Sequence, residues 1–111
     1  MTTKPVVWLG SSLSDIRRVP AEARRELGHD LSLVESGKSP RDWKPLSSIG
    51  PGVTEIRVRA PDAYRVVFVA KFPEAVFVLH VFKKKSQKTA HFDIELARAR
   101  FAALVRSRAG K

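Results

Sequence analysis

No cysteine occurs in the 111-residue chain, which excludes disulfides, thiolate metal sites and cysteine nucleophiles together. Histidine is scarce. His29, His80 and His91 stand among isolated carboxylates without a spacing such as HExxH, so no metal or other cofactor is expected. No apolar run approaches the roughly 20 residues of a membrane span. The opening MTTKPVVWLG is also too short in apolar residues for a signal peptide, so a reducing cytoplasm and no membrane association are expected. Internal repeats and low-complexity stretches are lacking. Acidic residues are few, 11 Asp and Glu against 21 Lys and Arg, and the net charge of +10 points to a polyanionic partner. Lys83 to Lys111 holds nine basic residues against Asp93 and Glu95, which concentrates +7 of that charge in the C-terminal third.

What is present is a core. With 43% hydrophobic residues the chain should fold as one domain spanning 1–111. Tyr64 to Phe72 and Ala75 to Phe82 are Val- and Phe-rich runs flanking the turn-like Pro73-Glu74, which reads as a β-hairpin of central strands covered on both faces. The second strand runs directly into Lys83, Lys84 and Lys85, with Lys88 and Thr89 close behind.

Elsewhere, Pro5 to Leu9 is a short strand candidate, and Ser12 with Asp15 has capping-box spacing for a helix. Pro20 restarts a helix whose inward stripe is Ala23, Leu27, Leu31 and Val34, with Gly28 as a weak point and Gly37 as the stop. Residues 36–52 read as a loop anchored by Trp43, Leu46 and Ile49, Trp43 having a base-stacking platform as its other reading. Val53 to Ala60 alternates, with Glu55, Arg57 and Arg59 on a charged face and Pro61-Asp62 as the following turn. A last helix, capped at Thr89, carries Ile94, Ala97, Phe101, Leu104 and Val105 inward with its arginines solvated. The order predicts an α+β fold, a small, mainly antiparallel sheet covered by N-terminal helices and a C-terminal helix.

Alternation places Val76, Val78, His80, Phe82 and Lys84 on one face of the last strand. Arg65, at the end of a central strand, is either paired with Glu55 or facing a ligand, because an unpaired buried charge is costly. Arginines and lysines converging on one face suit holding a phosphate or stabilising the charge of a phosphorane. That makes Arg57, Arg65 and Lys84 candidates for a scissile phosphate, and Lys83, Lys85 and Lys88 candidates for flanking RNA. His80 and His91 are the acid-base candidates by their ordinary pKa, and a lysine depressed by neighbouring cations is another. Their structural readings are a half-buried strand residue for His80 and a solvated first-turn residue for His91.

The segment VFVLHVFKKKSQKT, preceded by VTEIRVR and YRVVFV, resembles the phage-derived HigB-like branch of the RelE/ParE toxin superfamily, with similarity from about Val7 to Val105. The resemblance implies a RelE-like microdomain. It also implies a toxin of a type II toxin-antitoxin module that cleaves mRNA on the ribosome without metal and is neutralised by a cognate antitoxin, often a helix-turn-helix protein. Glu55 and Arg57 match the family's Glu-x-Arg, Arg65 its Tyr-Arg, and Lys84, Lys85, Lys88 and Thr89 its Lys-Lys and Lys-Thr. The chain departs in lacking a C-terminal tyrosine, Tyr64 being its only one, and in carrying Ala90 where the family often has proline. Two alternatives stay open: a ParE-like DNA gyrase inhibitor without nuclease activity, and a non-catalytic basic nucleic-acid-binding module.

Overall fold

In the computed structural model, residues 3–59, 62–85 and 90–110 are described. The elements run β1 (Val6–Trp8), α1 (Ser12–Arg17), α2 (Ala21–Glu35), β2 (Trp43–Pro45), β3 (Val53–Val58), β4 (Tyr64–Val69), β5 (Val76–Lys83) and α3 (His91–Ala109). The five strands form one α+β sheet in the order β1-β5-β4-β3-β2. Only β1 runs parallel to its neighbour β5; the other pairs are antiparallel.

All six residues of β4 are buried because both sheet faces are covered. On one face Ile16, Leu27, Leu31 and Val34 of the helical hairpin pack on Ile56, Val66 and Val78. On the other, Ala97, Phe101 and Leu104 of α3 join Leu46 and Ile49 over Val67, Val69 and Leu79. Asp30, buried in α2, accepts from Arg41 Nε at 2.8 Å and so ties the 36–42 segment to the helix.

Gly28 does not interrupt α2, which is continuous. It is exposed, off the buried stripe, and an added Cβ would meet nothing within 4 Å. Gly28→Ala should therefore stabilise the fold by about 0.5–1 kcal/mol, read as a raised midpoint in thermal or denaturant unfolding.

Several sequence expectations are corrected. The central strands stop at Val69 and start again at Val76, so their connection is longer than Pro73-Glu74. Phe72 leaves the ladder to pack edge-on against Phe77 at 6.0 Å, with the Arg108 guanidinium 3.8 Å above its ring. The 36–52 loop contains a strand, β2, tolerated despite Pro45 because it lies at the sheet edge. Trp43 is no core anchor: it is 46% exposed, since the edge strand carries it beyond the cover of α2. Ser12 is buried within α1 instead of capping it, and its neighbour Ser11 holds the N-cap position. The N-cap position of α3 is Ala90; Thr89, like Lys88 and Pro61, lies outside the described residues. Val105 is 42% exposed and outside the stripe.

The arginines of α3 are largely fasteners. Arg108 makes a two-pronged bond to Glu74 at 2.7 and 3.0 Å, and Arg98 donates to Glu95 and to the Ser48 carbonyl. Arg100 donates to the Leu79 carbonyl at 2.9 Å and to Ser11 Oγ at 3.0 Å. These bonds fix α3 against the hairpin turn, the 46–50 loop and β5.

The last correction bears on the site. Val67 pairs with His80 but Phe68 pairs with Val78, so Leu79 is an extra residue in β5. This β-bulge breaks strict alternation. Val76, Val78 and Val81 consequently face the helical hairpin, while Leu79, His80 and Phe82 lie on the α3 side. His80 and Lys84 do share a face, opposite to that of Val76 and Val78.

Candidate functional site

The site begins with register. Arg57 on β3 lies directly across from Arg65 on β4, and Arg65 is across from Phe82 on β5. One row beyond, the Lys84 amide donates to the Ala63 carbonyl at 2.8 Å, which extends the β4–β5 ladder past its last pair. At the other edge Lys44 of β2 is opposite Glu55. Residues two apart on a strand share a face, so these positions form a cationic patch beyond the end of α3's cover.

Lys44, Arg57, Arg59, Arg65, Lys84 and Lys85, together with Ala63, line one open depression of about 640 Å³. Two carboxylates bear on it. Glu55 is fully buried, and its Oε1 lies 3.5 Å from Arg65 Nε. Asp42 Oδ2 is 3.8 Å from Arg59 Nε at the outer rim.

The buried pair is imperfectly bonded. Arg65 Nη1 donates to the Tyr64 carbonyl at 3.0 Å, but neither Glu55 oxygen nor Arg65 Nε makes a hydrogen bond of good geometry among the described residues. Buried Arg57 Nε is likewise without one. Glu55 thus offsets one guanidinium charge at a distance and leaves donors unused, which suits a surface that must take an anion. Arg65 pairs with Glu55 and also lines the depression.

Crowding alters the proton affinities. Burial, then Arg65, Lys44 and Arg57, hold the Lys84 ammonium below the ordinary lysine range, with Glu55 acting in the opposite sense. Burial also lowers Arg65, opposed by Glu55 and reinforced by Arg57 and Arg59. Arginine nevertheless remains charged. Lys84 is therefore a cation that gives up its proton more readily than an ordinary lysine.

Of the residues singled out in the sequence, the depression brings together Arg57, Arg65, Lys84 and Lys85. Lys83 points to the opposite face and reaches Asp62 at 3.2 Å. Lys88 lies outside the described residues. His80 is buried beneath α3, where its Nε2 donates to Asp93 Oδ1 at 2.7 Å and its ring stacks on Phe82 with centroids 5.0 Å apart. His91 is exposed on the first turn of α3. Neither histidine lines the depression. Lys44 and Arg59 are additions; Lys44 is hidden in the sequence because a three-residue strand ending in proline reads as loop, whereas Arg59 stands on the charged face of the alternating run of β3. Trp43 lies across from Ile56, on the sheet face opposite the cations.

Among the described residues no helix is long and apolar enough to cross a membrane. The sequence profile of the family described as Phage derived protein Gp49-like (DUF891) matches residues 14–102. No curated protein matches the chain.

Proposed function

Because this chain belongs to the phage-derived Gp49-like family, a RelE/ParE-like toxin family, we propose that it is the toxin of a type II toxin-antitoxin module, a metal-independent endonuclease that cleaves mRNA on the ribosome. The observation that carries the nuclease reading is the convergence of six cationic side chains on one depression, one of them a lysine with lowered proton affinity.

In this reading Arg57 and Arg65 hold the non-bridging oxygens of the scissile phosphate, as guanidinium groups do in paired donor geometry. The neutral Lys84 amine takes the proton of the RNA 2′-hydroxyl. The 2′-oxygen then bonds to phosphorus while the bond from phosphorus to the 5′-oxygen breaks, and an ammonium of the rim, Lys44 or Lys85, protonates the departing oxygen. The products are a 2′,3′-cyclic phosphate and a 5′-hydroxyl. The arginines meet the extra negative charge of the phosphorane, a task of fixed cations in a partly desolvated site. The ribosome presents the message, so the protein itself needs only a small footprint. The HigB-like branch and a helix-turn-helix antitoxin belong to the same proposal; an acidic, partly disordered partner suits the exposed cations.

Induction of the chain without an antitoxin in a bacterial host should arrest growth and produce new RNA 5′ ends bearing hydroxyls, with plasmid supercoiling unchanged. Altered supercoiling with intact RNA would replace the nuclease by a gyrase inhibitor.

A pH dependence follows from Lys84. A base must be neutral to act, so single-turnover cleavage should rise with pH and level off above the lowered Lys84 pKa, below the ordinary lysine value. A rate that falls over that interval would mean that Lys84 serves only as a cation.

A further inference from the structure

Phe92 contributes nothing to the core. It sits in the first turn of α3, off the buried stripe of Ala97, Phe101 and Leu104, and is 71% exposed. Its ring borders a hollow of about 320 Å³ whose other walls are Phe82, Ala90, Asp93 and Lys83 to Lys85. Lys84 and Lys85 also line the cationic depression, so the two hollows adjoin. The inner wall is tied together: Asp93 Oδ1 is held by buried His80, which in turn stacks on Phe82. Among the described residues Oδ2 of Asp93 has no partner, so it can accept from a ligand.

An exposed aromatic ring, an oriented acceptor and lysines continuous with the cationic depression are the parts of a single-strand recognition pocket. Aromatic rings stack any base, and a carboxylate accepts from an exocyclic amine such as cytosine N4. We propose that this hollow is a nucleobase subsite, in which a base next to the phosphate in the depression stacks on Phe92 and donates its exocyclic amine to Asp93 Oδ2. The proposal rests on the reading of the depression as an RNA phosphate site. His80 and Asp93 then act as a positioning pair for the base.

The test is fluorescence anisotropy of labelled cytidine and uridine pentanucleotides with the full chain at fixed low salt. Cytosine and uracil share ring size and differ at the amine, so wild type should bind the cytidine oligomer about 5-fold or more tightly. Phe92→Ala should weaken both by about 5- to 100-fold with the salt dependence unchanged, and Phe92→Tyr should restore them. Asp93→Asn, with its oxygen still on His80, presents an amide donor and should reverse the preference toward uridine. Because Phe92 is exposed, its substitution should leave thermal unfolding unaltered. Unchanged affinity in Phe92→Ala, while Arg57→Ala/Lys84→Ala loses binding, would overturn the base subsite and leave the phosphate site standing. Equal binding by wild type and the Arg57→Ala/Lys84→Ala variant would overturn both.

Discussion

Arg57→Ala/Lys84→Ala should remove cleavage and growth arrest while leaving a folded protein. Each side chain lies at the partly exposed depression, so truncation relieves like-charge crowding and breaks no buried ion pair. Loss of one transition-state cation costs about 100- to 1,000-fold in rate, and groups acting as a unit are not additive, so the double variant should fall to background. Lys84→Arg is the sharper comparison. It keeps the charge but removes the group that can lose a proton, so RNA binding should survive and cleavage should not. Single-turnover rates on programmed ribosomes, alongside oligonucleotide affinity, separate the two roles. Near wild-type cleavage by Lys84→Arg would show that Lys84 is not the base.

Truncating Arg65 should damage the fold itself. Arg65 is 3% exposed and lies over Glu55, which is wholly buried. Removing one member strands the other charge, at a cost of about 3–5 kcal/mol, so Arg65→Ala and Glu55→Ala should each lower the unfolding midpoint sharply. Replacing both together, as Glu55→Leu/Arg65→Met, strands no charge and should recover most of that loss. The doubly replaced protein should still fail to cleave RNA, because the phosphate has lost a guanidinium. Recovery of stability together with activity would make Arg65 purely structural. No recovery would mean that the pair stabilises beyond what apolar packing can replace.

The central hairpin was legible because Val and Phe dominate two runs that only a doubly covered sheet can bury. Alternation puts Arg57 on the charged face of its strand, but its place directly across from Arg65 is set by the register, which alternation alone does not give. Two further features were not legible. A bulge at Leu79 leaves no mark in a run where every neighbour is apolar but His80, so alternation alone places His80 on the face of Val78 although the pairing puts it under α3. A three-residue edge strand ending in proline looks like loop, so Lys44 and the exposure of Trp43 were hidden. The fastening arginines, Arg98, Arg100 and Arg108, were equally unreadable, since their acceptors are distant in sequence and partly backbone carbonyls. Phe92 carried a usable signal: an aromatic residue beside a lysine run and off the helical stripe has no packing role to explain it.

The most direct measurement is transcriptome-wide mapping of new 5′ ends after induction of wild type and of Arg57→Ala/Lys84→Ala, comparing translated with untranslated messages. Hydroxyl ends confined to translated messages and missing from the double variant are the expected result. Cuts that persist in the double variant, or growth arrest by wild type without cuts, would show that the cationic depression is not a ribosome-dependent cleavage site.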